Sequence, residues 1–145
     1  IYRIRGNEAK VQETLKQALA VNREASAAHY ALAMSLVRQG KKDQAIAHMQ
    51  NAVTYGSTNA SFIYTYALLL QDRQRYNDAL VQLRRAYELT PNNPDISYSL
   101  SQLYIGAKQY DKALLYAKKL AELVPGNEQI SQMIEQIKTL KTNQP

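Results

Sequence analysis

Apolar residues in this chain recur every three or four positions, in short runs separated by polar breaks. Between residues 60 and 90, Ile63, Tyr66, Ala67 and Leu70 form one stripe, and Ala79, Leu80, Leu83, Ala86 and Tyr87 form another. Gln71 to Arg75 is the polar break between them. That spacing is the period of an α-helix rather than a strand, so it predicts two helices joined by a tight turn. Near the far end Ile130, Met133, Ile134, Ile137 and Leu140 give a further stripe, with Gln129, Gln132, Glu135, Gln136 and Lys138 mostly on other faces. A helix with one apolar side is expected there, suited to cover the end of a stack.

The pattern repeats. YNDAL begins at Tyr76 and YDKAL at Tyr110, 34 residues on. At the same shift Tyr30, Tyr64 and Tyr98 align, as do Ala45, Ala79 and Ala113, then Ser57, Pro91 and Pro125, and Asn59, Asn93 and Asn127. A fixed period of this length is the mark of stacked supersecondary units. Three copies result, at 26–59, 60–93 and 94–127. Residues 1–25 read as a partial copy dominated by a second-type helix, with Tyr2 in register with Leu36, Leu15 with Met49 and Ala18 with Ala52. Residues 128–145 read as a capping helix and tail. Because the chain starts at Ile1, it is expected to be a mature form or a piece of something longer. An apolar strip at Val11, Leu15, Ala18 and Leu19 then suggests self-association through the truncated end.

Punctuation supports the units. Asn93 suits an N-cap and Pro94 the first helical position, where its missing N–H costs nothing. Asp43, Asn77 and Asp111 are expected to cap the second helices or favour their dipoles. Gly40 can supply an open turn conformation, and Tyr76 and Tyr110 are expected to lock the turns. Ala45, Ala79 and Ala113 mark close helix contacts, where a larger side chain would cost about 1–3 kcal/mol.

These two-helix units resemble the tetratricopeptide repeat (TPR) family. The second copy carries Ile63, Tyr66, Ala67, Leu70, Tyr76, Ala79, Leu83, Ala86 and Pro91 where the family pattern asks for large, small, Tyr, Ala and Pro residues; Gln74 replaces its glycine. The first copy keeps Leu32, Ala33, Leu36, Gly40, Ala45, Met49 and Ala52, and departs at Lys42 and Ser57. The third keeps Leu100, Ser101, Tyr104, Tyr110, Ala113 and Pro125, and departs at Lys108, Ala117 and Leu120. The resemblance implies an all-α, TPR-type α-solenoid: one domain over 1–145, wound as a right-handed superhelix with a C-terminal capping helix. It also implies a protein-interaction scaffold whose first helices line a concave groove for a peptide or partner helix. The groove positions are Tyr30, Met34, Val37 and Arg38 in the first copy. Tyr64, Leu68, Gln71 and Asp72 follow in the second, and Tyr98, Gln102, Ile105 and Gly106 in the third. The residues with which some members grip a carboxylate tail are missing, since Tyr30, Met34, Thr65, Asp95 and Ser99 stand at those places.

Composition narrows the chemistry. With 46% apolar residues, the chain can bury a core and global disorder is excluded. It has no cysteine, which removes disulfides, thiolate metal sites and cysteine nucleophiles but leaves cytoplasm and bacterial periplasm equally open. No apolar run approaches membrane-spanning length, so a soluble chain is expected. Net charge is +6, and Lys41, Lys42, Arg73, Arg75 and Lys108 fall in or beside turns as a potential basic edge for an acidic partner. Aromatic residues do not interleave with that edge, which argues against nucleic acid. Eleven tyrosines against one phenylalanine favour surfaces that combine a ring with a polar tip. His29 and His48, on paired helices, lack a third ligand for a metal. No phosphate-binding glycine loop occurs and the carboxylates are scattered, so neither cofactor nor catalysis is expected. The rival reading is an accessory or tail domain of a larger enzyme or electron-transfer protein. Residues 59–68 resemble segments in TPR tails of bacterial multihaem cytochrome-type proteins.

Overall fold

The computed structural model describes residues 2–145, with side chains described from Gly6 onward. The expected register of Tyr2 with Leu36 therefore falls on a side chain outside the described set. The described residues form helices and no strand: α1 (Tyr2–Val21), α2 (Ser26–Arg38), α3 (Lys42–Tyr55), α4 (Ala60–Asp72), α5 (Tyr76–Leu89), α6 (Pro94–Gly106), α7 (Tyr110–Leu123) and α8 (Glu128–Thr142). The chain divides into two compact units, Ile1–Gln74 and Arg75–Pro145.

In the first unit α2 packs on α3, α1 on α2, and α3 on α4. Its core is made of the stripes read from the sequence: Leu32, Ala33 and Leu36 on α2, Ala45, Met49 and Ala52 on α3, and Ile63, Ala67 and Leu70 on α4. In the second unit α5 packs on α6, α6 on α7, and α7 on α8. Ala79 and Leu83 of α5, Ile96 and Leu100 of α6, Ala113, Ala117 and Leu120 of α7, and Ile137 of α8 are buried there. Each fully buried Leu or Ile contributes about 1.5–3 kcal/mol, so these narrow stripes account for most of the holding force. Ala113 is fully buried where α6 meets α7, and its carbonyl accepts a hydrogen bond from Ser101 Oγ at 3.0 Å. A larger residue at either place would separate the two backbones.

The Asn column caps the first-type helices. Asn59 Oδ1 accepts from the Phe62 N–H, Asn93 Oδ1 from those of Asp95 and Ile96, and Asn127 Oδ1 from that of Ile130. Pro94 follows Asn93 at the start of α6. The second-type helices begin differently from the expectation. α3, α5 and α7 have no side-chain cap, and Asp43 and Asp111 lie inside the first turn. There they complement the helix dipole and reach across to the next helical pair, Asp43 to Arg73 at 2.9 Å and Asp111 to Lys141 at 2.5 Å. One residue earlier in the same register, Glu8 pairs with Arg38 at 2.7 Å and Lys42 with Asp72 at 2.7 Å. Tyr110 is buried as expected, whereas Tyr76 is 53% exposed and locks nothing by burial.

The turns between paired helices need a left-handed residue at one place. Gly40 takes it with φ +75°, but Gln74 and Lys108 adopt φ 60° and 56° at the equivalent positions. A side chain there costs about 1–2 kcal/mol, partly offset by the smaller entropy loss of a non-glycine residue on folding. Space is not the obstacle at Gly40, since nothing lies within 4 Å of an added Cβ. Gly40→Ala should therefore lower unfolding stability by about 1 kcal/mol, and Lys108→Gly should leave it unchanged or raise it by up to about 1 kcal/mol. Urea unfolding of the two variants beside the parent checks both signs.

Candidate functional site

The groove positions do not share one environment. In the first unit Tyr30 is half-buried and stacks face to face on Phe62 of α4, with ring centroids 4.3 Å apart and planes 14° from parallel. Its ring is thus occupied in packing α2 against α4. Arg38 donates from Nε to Glu8 Oε1 at 2.7 Å and from its terminal nitrogen to Glu8 Oε2 at 3.3 Å, which turns it toward α1. Glu8 also accepts from Ser35 Oγ. The Arg38 guanidinium first, then the Ser35 hydroxyl, hold the Glu8 carboxyl below its ordinary range. Met34 and Val37, by contrast, come together with Leu68, which is 40% exposed, around an open hollow of about 230 Å³. Tyr64 and Gln71 are half-buried and lie outside its lining.

The second unit holds the larger hollow, about 470 Å³, between the groove face of α6 and the facing side of α8. Tyr98, 50% exposed, and Gln102 line it. Ile105 is half-buried and outside it. Three turns of α8 complete the wall with Gln129, Gln132, Met133 and Gln136. The sequence had placed those glutamines on other faces of a mere cap. Their spacing of three, then four, was the available signal, because it sets all three on one helical face beside Met133. Asp95, one turn before Tyr98, was likewise missed as a lining residue. Gln102 Nε2 approaches Met133 Sδ at 3.5 Å, a weak contact that leaves the amide free to turn.

The basic edge is largely neutralised. Lys42, Arg73 and Arg75 form ion pairs with Asp72, Asp43 and Asp78. Only Lys41 and Lys108 of the five are without an ion pair among the described residues. Such exposed pairs each contribute at most about 1 kcal/mol, but they halve or cancel the local field an acidic partner would feel.

The two histidines do meet. His29 Nδ1 and His48 Nδ1 are 3.1 Å apart, and His29 Nε2 lies 2.9 Å from the Arg23 carbonyl oxygen. A carbonyl only accepts, so His29 carries its proton on Nε2 and its Nδ1 accepts from His48 Nδ1–H. Among the described residues no set of three or more His, Cys, Asp or Glu side chains could hold a metal ion. Burial, reinforced by the adjacent His29 and then by Lys16, pushes the His48 pKa below 6.5.

Profiles of the tetratricopeptide repeat match residues 12–60 and 69–137. The chain belongs to the tetratricopeptide repeat family. Among solved TPR structures, MamA superposes with a TM-score of 0.80 at 22% identity, over 97% of this chain and 84% of that one. A TPR protein from Parabacteroides merdae gives 0.84 at 19% identity, over 98% of this chain and 57% of its own. YrrB, described as a TPR protein with an unusual peptide-binding site, gives 0.72 at 19% identity, over 93% and 69%. At these identities the likeness is one of fold. No curated protein sequence matches, and the resemblance to multihaem cytochrome tails is not shown by these matches. Among the described residues no helix is long and apolar enough to cross a membrane.

The depressed His48 pKa has a definite sign. Folding holds the ring neutral, so its contribution is complete above the unfolded value of 6.5 and is lost as pH falls from there through the folded value. The midpoint of urea unfolding should decline just below pH 6.5, and His48→Gln should flatten that decline. The separate loss from Glu8, whose carboxyl is also depressed, should appear only below its ordinary value of 4.5.

Proposed function

We propose that this TPR chain is a protein-interaction module that takes a peptide or partner helix on the groove faces of its first-type helices, without catalysing a reaction on it. The observation that carries the reading is Tyr98. A ring 50% exposed at the mouth of a 470 Å³ hollow, backed by Met133 and Ile130, is contact area held ready on rigid helices. Pinned tyrosines cost little entropy on binding and dominate many interfaces. The Met34, Val37 and Leu68 hollow offers a smaller, apolar counterpart in the first unit. That YrrB is described as having a peptide-binding site agrees with this use of the fold. A soluble chain in cytoplasm or periplasm, as part of a larger protein or on its own, is compatible with the reading.

A displayed random-peptide library selected on the chain provides ligands for the test. Tyr98→Ala should weaken the selected peptides by about tenfold or more, the behaviour of an interface hot spot. Tyr30→Ala should act mainly on stability, since that ring is committed to Phe62. Binding through these faces should persist at raised salt, whereas use of the exposed lysines would not survive it. Selected peptides indifferent to Tyr98→Ala and lost at moderate salt would overturn the groove reading.

A further inference from the structure

We infer that the hollow between α6 and α8 reads the main chain of an extended peptide with its glutamines and selects a basic side chain with Asp95; this rests on the function proposed above. A carboxamide presents one acceptor and two donors, the same complement as a peptide group, so a row of them matches a backbone whatever its side chains. Gln132 and Gln136 are one turn apart, about 6 Å along α8. That is close to the roughly 6.6 Å between main-chain groups on one edge of an extended strand. Across the hollow, α6 contributes Gln102.

These amides are available. Gln136 makes no side-chain hydrogen bond among the described residues, and Gln132 makes only a long one, from Nε2 to Glu128 Oε1 at 3.4 Å. The Gln102 contact to sulfur is the weakest kind of acceptor. A partner main chain would replace poor bonds with good ones, which is where net affinity arises.

Charge decides which peptide. Asp95 is the one carboxylate on the wall of the hollow, no Lys, Arg or His lines it, and that carboxylate makes no ion pair among the described residues. The two lysines of α8 lie outside its lining and are ion-paired, Lys138 with Glu135 at 3.0 Å and Lys141 with Asp111 at 2.5 Å. In a chain of net charge +6 the one formal charge on this wall is therefore negative. A Lys or Arg placed beside Tyr98 would meet both the carboxylate and the ring face. An acidic peptide would meet repulsion from Asp95 with no cation on the wall to relieve it.

The probes are random dodecapeptides displayed and selected on the full 145-residue chain, followed by synthetic versions of the winners. Lys and Arg should be enriched and Asp and Glu depleted. Asp95→Asn should remove that bias and weaken basic winners about tenfold, while a melting curve shows the helices intact. Gln136→Ala, at an exposed position, should weaken basic and neutral winners alike by about fivefold, the usual scale of one lost hydrogen bond. N-methylation of the winners should hurt at alternate positions. Peptides that depend on Tyr98 but show no basic bias, or ignore Gln136→Ala and N-methylation, would overturn this inference and leave the interaction module standing. Selection of no peptide at all would overturn both.

Discussion

The close approach of paired helices at residues too small to keep them apart is the constraint on which the rest of this molecule depends. Ala33 and Ala45 are fully buried on α2 and α3, and Ser101 donates to the carbonyl of Ala113 between α6 and α7. Contact at that distance fixes how a first-type helix lies on its partner. It spends one face of the first-type helix inside the repeat and a second face on the neighbouring repeat. What remains is a third face, carrying Met34, Leu68 and Tyr98, which no intramolecular packing demands. That residual face is where the proposed binding is placed, because packing has claimed the other two.

Charges at the turns show a different kind of order. Glu8 with Arg38 and Lys42 with Asp72 occupy the same register one repeat apart, yet the signs are reversed. Asp43 with Arg73 recurs two repeats on as Asp111 with Lys141. Each exposed pair adds little to stability. A mispairing by one repeat, however, would set Glu8 against Asp72 and Lys42 against Arg38, so the alternation also disfavours the wrong stacking order.

The period, the helices, the Asn caps and the buried alanines were legible in the sequence because each follows from residue type and spacing alone. The ion pairs of the basic edge were not legible for a related reason. Lys42, Arg73 and Arg75 line up when positive residues are counted by themselves, and their partners Asp72, Asp43 and Asp78 are seen only when acids are placed on the same register. That the α8 glutamines line a hollow was not legible, because the helix was read for its apolar stripe alone. The His29 to His48 contact was legible as a pairing of helices but not as a hydrogen bond, since its tautomers are set by the Arg23 carbonyl, which no side-chain pattern reveals.

The tyrosine column shows how a repeat can keep one letter and change its use. Tyr30 and Tyr98 are equivalent positions, and the residue that follows each by 32 comes from the next first-type helix: Phe62 in the first case and Ile130 in the second. A phenyl ring is flat and wide enough to lie over Tyr30 at 4.3 Å, so that tyrosine is consumed in packing. Isoleucine is narrower, β-branched and drawn into the core at 9% exposure, and Tyr98 stays 50% exposed. The larger hollow opens at that place, with Ile130 in its wall. Identity at one position therefore did not determine how these two rings are used: Tyr30 is stacked on Phe62, while Tyr98 keeps half of its surface exposed.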